Sequence, residues 1–267
     1  MIGYYAQLSG IGVLSSIYFF SFIVTSQISN YKATDSRLTS MKWTTTVLPT
    51  LILVYYVPLT GQFFAPTYTS RHNWNWIWQP FPIFASVVQQ LSARTGIAPD
   101  TVKHDRIHNP RRDLTVIRYT VNTLALAAAC TWLYTLTRSP YSIRDIFIPD
   151  GQLASKADLI QHVHTFLQYD QLFCFVNTYL WLAYLFWDLK HAGMIRESWL
   201  RLVVYTIGLT AVVGPGATTG FAWLWREETI AFKRHKDAIV SSEQGVPEVE
   251  REKVVLNGHA NGQAEQS

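Results

Sequence analysis

Three carboxylates stand inside or at the edge of long apolar stretches of this chain: Asp170, Asp188 and Glu227. An ionisable group at membrane depth is costly, so each is a candidate for function. The competing reading places each at headgroup level, paired with a nearby Lys or Arg. Asp170 and Asp188 are 18 residues apart. On one helix that is five whole turns, so they point the same way but stand ~27 Å apart along the axis and cannot form a catalytic pair with each other. A carboxylic acid among apolar rings is held protonated at neutral pH, and tryptophan faces stabilise cations. An acid beside an aromatic-lined apolar cavity is what proton-initiated carbocation chemistry requires. For Trp74, Trp76 and Trp225 the alternative is an interfacial aromatic belt.

Other chemistries find little footing. Cys130 and Cys174 each lie in an apolar block, which suits packing better than a disulfide or a thiolate zinc site. His162 and His164 are two residues apart and do not share a helix face. His104 and His108 have helical spacing but sit among Arg106, Arg111 and Arg112, so no metal is expected. A Gly-rich phosphate loop, a Gly-x-Ser-x-Gly elbow and an Asp-rich diphosphate box are all missing. Gly214-Pro215-Gly216 interrupts an apolar block, either as a close-packed kink or as a break exposing backbone carbonyls to a cavity.

The elements that must position these residues are membrane helices. Of 267 residues, 49% are hydrophobic and 15% charged, against roughly 25% charged in a soluble domain. Six apolar blocks approach the ~20 residues that span a bilayer: residues 4–27, 44–64, 74–91, 115–137, 170–187 and 199–225. The third is interrupted by Pro80 and Pro82. The first lacks a basic n-region and reads as a retained helix, not a signal peptide. The fold expected is an all-α polytopic transmembrane bundle of about six spans over residues 1–234, with residues 154–168 forming a surface helix. A soluble, disordered tail rich in Glu, Gln, Gly and Ser is expected over residues 235–267. The net charge of +4 comes from loops, so nucleic acid is not a partner. Face A, after spans 1, 3 and 5, collects 12 Lys/Arg against 8 on face B. The positive-inside rule then favours a cytoplasmic face A by a thin margin. With alternating spans, Asp170 and Glu227 fall together on face B, and Asp188 on face A.

The ordered set Trp78-Gln79-Pro80-Phe81-Pro82, Phe166-Leu167-Gln168-Tyr169-Asp170, Phe186-Trp187-Asp188-Leu189-Lys190, Gly214-Pro215-Gly216-Ala217 and Trp225-Arg226-Glu227 resembles fungal integral membrane terpene cyclases of meroterpenoid and indole-diterpene gene clusters. The resemblance covers roughly residues 68–228. It implies a cofactor-free cyclase of a prenylated substrate, epoxidised or not, started and ended by proton transfer. Family motifs land on Asp170, Asp188 and Glu227. The site expected combines Asp170 as general acid and Glu227 as second acid or proton acceptor. Trp78, Gln79, Trp181 and Asn177 would contact substrate, with Asp188 as a secondary acid. Membrane lipid and other pathway enzymes are the expected partners, in the endoplasmic reticulum. A non-enzymatic membrane scaffold for such enzymes is the alternative.

Overall fold

The computed structural model describes Tyr5, residues 9–25, 41–95, 113–149 and 158–232. The expected tail, the loops 28–40 and 96–112 and the His104/His108 pair lie outside these residues. Among the described residues the structure is helical, without a strand.

Among the described residues nine α-helices follow one another: α1 (Ile11–Thr25), α2 (Met41–Leu51), α3 (Val57–Phe64), α4 (Tyr68–Trp78), α5 (Phe81–Arg94), α6 (Leu114–Arg138), α7 (Ile143–Phe147), α8 (Leu159–His191) and α9 (Trp199–Phe232). Among the described residues four stretches are, by length and composition, long and apolar enough to cross a membrane: Lys42–Phe64, Leu114–Arg138, Leu159–His191 and Trp199–Phe232. Much of their apolar surface is exposed, as in Phe64, Leu126, Leu180 and Ile207, which is stable facing hydrocarbon and unstable facing water. This is an all-α membrane protein. The remaining two of the six expected blocks form the shorter α1 and the broken pair α4–α5.

Prolines shape the second helical hairpin. Between α2 and α3 the backbone widens into a five-residue π turn, Ile52–Tyr56. Pro58 follows in the first turn of α3; lacking an N–H and crowding the carbonyl four residues back, it favours such a widening. Opposite it, the block expected over 74–91 divides at Gln79-Pro80, with α4 capped by Thr67. Tyr55 packs against both Trp78 and Phe81, at centroid distances of 5.8 and 4.9 Å, and so bridges the break.

Of the surface helix expected over 154–168, residues 159–168 are part of α8, and 154–157 lie outside the described residues. That helix starts at Leu159, where Asp158 accepts the Leu159 N–H, and runs unbroken for 33 residues. No Gly or Pro lies between 159 and 191 to stop it. Asp170 therefore stands three turns inside a helix. The loop before it carries α7, whose Ser142 and Asp145 form a reciprocal capping box.

The principal departure from a six-span path is in α9. Gly214 has φ 84° and ψ 164°, outside the helical region. Leu202, Phe186, Leu189, Met194 and Ile195 form one buried cluster, and Trp225 and Ile230 pack against it. In a straight helix Leu202 and Ile230 would be ~42 Å apart. The chain therefore reverses at Gly214, and residues 215–232 return alongside 199–213. Glycine is required because an L side chain at that φ is strained. Space is a second requirement, since a Cβ at Gly214 would lie 2.6 Å from the Trp132 ring.

The returning arm packs on α6 through small residues. Gly216 and Gly220 face Ala128 and Ala125, where an added Cβ would stand 3.3 Å from each alanine. Ala217 is fully buried with Ala125 and Ala129. Such small-xxx-small faces let helix backbones approach closely in lipid. Trp132 Nε1 donates to the Ala211 carbonyl at 3.3 Å near the reversal, and Arg118 pairs with Glu228 at 2.7 Å near the other end.

Candidate functional site

Helical geometry divides α8 into two faces. At 100° per residue, Asp170, Asn177, Trp181 and Asp188 fall on one stripe, while Tyr179, Leu182, Ala183 and Phe186 fall on the opposite one.

The first stripe meets α1, which runs parallel to α8. The Asp170 carboxylate accepts the Gly12 N–H at 2.6 Å and the Ile11 N–H at 3.2 Å, capping the first turn of α1. Helix N-termini present free N–H groups and a positive dipole end, so an acceptor carboxylate is stabilised there. Gly10 turns into the helix at φ 91°, and a Cβ on Gly12 would stand 2.6 Å from the Asp170 carbonyl oxygen. Asn177 Nδ2 donates to the Gly12 carbonyl at 3.1 Å and to Ser16 Oγ at 2.6 Å. Trp181 stacks on Phe19 at 4.9 Å and meets Phe22 edge-on. These three expected site residues join two helices. Asp170→Ala should lower stability by ~1–2 kcal/mol, the usual cost of losing an N-cap, read as a drop in the unfolding midpoint in detergent.

Trp78 and Gln79 lie elsewhere, at the α4–α5 break. Trp78 Nε1 is buried without a hydrogen-bond partner among the described residues, and Gln79 is exposed.

The reversal of α9 also corrects the expected pairing of Asp170 with Glu227. The returning arm carries Trp225, Arg226 and Glu227 to the face A end, beside Phe186 and Leu189. Glu227 thus shares an end with Asp188, far from Asp170. Arg226 and Glu227 are 3% and 1% exposed and form an ion pair. Glu227 lies on the same side of its arm as Gly216 and Gly220, turned toward α6, where Asp113 is also fully buried.

Between α8 and the two arms of α9 lies a groove of about 270 Å³, near the lower end of small-molecule sites. Tyr179, Leu182 and Phe186 form one wall; Leu202, Thr206 and Leu209 the second; Thr218, Phe221 and Trp225 the third. Tyr205 and Ile207 on its rim are exposed, so the groove opens sideways within the apolar zone. None of the lining residues is charged. The Tyr179 hydroxyl meets Thr210 at 2.7 Å, and Thr210 donates onward to the Thr206 carbonyl. Thr218 donates to the Gly214 carbonyl. Phe186 and Trp225 meet edge-to-face at 5.2 Å at the groove's end. Two residues beyond each ring come Asp188 and Glu227.

Sequence inspection passed over most of this lining. The spacing 179, 182, 186 on α8 matches 218, 221, 225 on the returning arm, but only the reversal brings the two stripes face to face.

Comparison with known proteins places the chain in a family. The chain is 40% identical over 236 residues to "FAD-dependent monooxygenase verC1" of Penicillium polonicum, covering 88% of this chain and 29% of that protein. It is 35% identical over 231 residues to "FAD-dependent monooxygenase anuJ" of Penicillium roqueforti, covering 86% and 28%. The chain thus spans about three tenths of the length of these curated relatives. No solved structure matches it. The CtvD domain model matches residues 1–231, every described helix from α1 to the last turn of α9. The family to which the ordered motifs pointed is therefore confirmed, and the chain belongs to the CtvD domain family.

Proposed function

We propose that this chain is a terpene cyclase of the endoplasmic reticulum membrane, acting in fungal secondary metabolism on a prenylated substrate held in the α8–α9 groove. The observation that carries the reading is the groove itself: apolar, ringed by Tyr179, Phe186, Trp199, Tyr205, Phe221 and Trp225, and open sideways. Such walls take up a hydrocarbon chain, fold it, exclude water and stabilise a migrating cation through ring faces.

The acid and base of this reading are the carboxylates at the Phe186–Trp225 end, Asp188 and Glu227. Each stands about 200° round its helix from the neighbouring ring, so the reactive end of the substrate has to extend beyond the groove lining to meet them. Asp188 is the proton donor. Its proton goes to an epoxide oxygen or alkene carbon, the C–O bond or π bond opens, and successive alkenes close rings as the cation moves. Glu227, paired with Arg226, suits the accepting role: it takes the proton whose loss restores a double bond. Asp170 holds α1 in place and takes no part in the chemistry.

The relatives' names bring in FAD. A flavin dinucleotide site of the common kind needs a strand leading through a Gly-rich turn into a helix N-terminus. Among the described residues there is no strand to lead into such a turn, and of the Gly-x-Gly entries to helical segments Gly10-Ile11-Gly12 is filled by the Asp170 carboxylate and Gly214-Pro215-Gly216 is packed against Trp132 and Ala128. These residues do not fit the cofactor, and no step here runs through it. A monooxygenase sharing a polypeptide with the matched region does suit a substrate whose alkene has been oxidised to an epoxide.

The purified protein in lipid nanodiscs, given an epoxidised farnesyl-arene alone, should form cyclised product. Ala222→Trp, which fills the groove, should lower the rate on the order of 10²-fold by misplacing the chain. The lack of a carboxylate among the lining residues favours a second reading, a membrane scaffold for pathway enzymes. Product from the purified protein eliminates that reading; no product, with the folded protein verified, eliminates the cyclase.

A further inference from the structure

One polar contact spans the groove at its inner end. The Tyr179 side chain leaves α8, lines the groove and meets the Thr210 hydroxyl of the first α9 arm at 2.7 Å, and Thr210 donates onward to the Thr206 carbonyl. Tyr179 stands 12 residues before the end of α8 and Thr210 11 residues after the start of α9, so the two are level in antiparallel neighbours. The returning arm is level with them, because Thr210 and Thr218 are each four residues from Gly214. The lining stops here on all three walls: it includes no residue before Tyr179 on α8 and none between Leu209 and Thr218 on α9. A phenol ring tied at its hydroxyl thus crosses the end of the groove nearest the reversal, opposite the Phe186–Trp225 pair.

The distance between those ends sets a length. Tyr179 to Phe186 rises ~10.5 Å along α8, and Trp199 to Leu209 ~15 Å along the first arm. An extended carbon chain advances ~1.1–1.2 Å per atom, as the extended backbone does. Three isoprene units, with twelve main-chain carbons, therefore span roughly 13 Å and fit, whereas four units span roughly 18 Å and do not. We propose that Tyr179, held by Thr210, is a specificity-determining residue: the inner stop that limits the prenyl chain seated in the groove to three isoprene units. Whatever exceeds that length, a fourth unit or an attached ring, turns out into lipid through the opening at Tyr205 and Ile207. Seated units gain affinity because packed protein walls are denser than a fluid hydrocarbon; a unit left in lipid gains none. This rests on the groove being the substrate site of the cyclase reading, and it concerns binding, so it is measured apart from turnover.

Displacement of tritiated farnesol from the full chain in nanodiscs, with competitors dosed as mole fraction of lipid, should be compared for geraniol, farnesol and geranylgeraniol. These carry two, three and four isoprene units. In the wild type farnesol should bind roughly threefold to tenfold more tightly than geraniol, through the contacts of one more seated unit. Geranylgeraniol should gain nothing further and stay within about twofold of farnesol, because its fourth unit remains in lipid. Tyr179→Ala removes a phenol group larger than one isoprene unit, and there geranylgeraniol should become roughly threefold to tenfold tighter than farnesol. Leu182→Ala, which widens the middle of the groove without lengthening it, should leave the plateau at farnesol. Geranylgeraniol tighter than farnesol by more than about threefold in the wild type, or a plateau unmoved in Tyr179→Ala, would overturn the assignment. Should Tyr179→Ala fail to fold, Tyr179→Leu, which opens part of the same space, is judged by the same criterion. A plateau at farnesol in a protein that makes no cyclised product would uphold Tyr179 while ending the cyclase reading; product without the plateau would do the reverse.

Discussion

Glu227→Gln should lower product formation by roughly 10²–10⁴-fold, the usual worth of one positioned proton-transfer group, while leaving the folded protein recoverable. Glutamine keeps the shape of the side chain and an oxygen that can accept from Arg226, but it cannot take up a proton from a terminating cation. The substitution separates chemistry from packing better than Glu227→Ala, which would leave the 3%-exposed Arg226 without its ion-pair partner and destabilise the protein by roughly 3–5 kcal/mol. Asp188→Asn should lower the rate into the same range through loss of the donor. Asp170→Asn should leave the rate per folded molecule within about threefold of wild type, because its expected cost is the loss of a helix cap. These comparisons are read by product assay after normalising to monodisperse protein. A full rate in Glu227→Gln would remove Glu227 from the reaction.

The second large effect belongs to the backbone. Gly214→Val should be destabilised by more than about 4 kcal/mol, a size reserved for severe local conflicts. Two terms add. A branched residue at φ 84° carries strain of order 1–3 kcal/mol. Its Cβ would also fall 2.6 Å from the Trp132 ring, which is held on α6 by its bond to the Ala211 carbonyl. Relief of the overlap distinguishes the terms. Gly214→Ala together with Trp132→Ala should recover much of the folded yield, leaving the φ strain and the lost ring packing. Unfolding in detergent micelles, followed by circular dichroism, measures both variants. A Gly214→Val protein as stable as wild type would mean that the reversal does not depend on glycine.

That reversal also marks where sequence reading stops. The apolar blocks announced helices because charge is confined to their ends, and the Gly214-Pro215-Gly216 break was visible as a break. Its consequence was not. A glycine with free φ permits either a kink or a full turn, and the choice is made by contacts distant in sequence: Trp132 at the apex, Gly216 and Gly220 against α6, Trp225 against Phe186. An apolar stretch of arm length reads the same in either direction, so alternation of spans sent Glu227 to the wrong end. The common face of Asp170 and Asp188 was legible from their spacing. The same spacing, continued through Asn177 and Trp181, is the stripe of a helix–helix seam. What the residues could not show is that α1 occupies that face, turning an expected acid into a cap. Arg226 was missed for a different reason: a cation at the end of an apolar block looks like a headgroup anchor until its burial is known.

The claim on which groove, acid pair and ligand orientation all depend is that residues 215–232 fold back along 199–213. Spin labels on cysteines introduced at Arg201 and Phe232, with Cys130 and Cys174 replaced by serine, report it directly by pulsed dipolar spectroscopy in nanodiscs. Antiparallel arms packed 8–10 Å apart predict a separation below about 25 Å. A distribution centred near 46 Å, the length of 31 residues of continuous helix, would contradict the account.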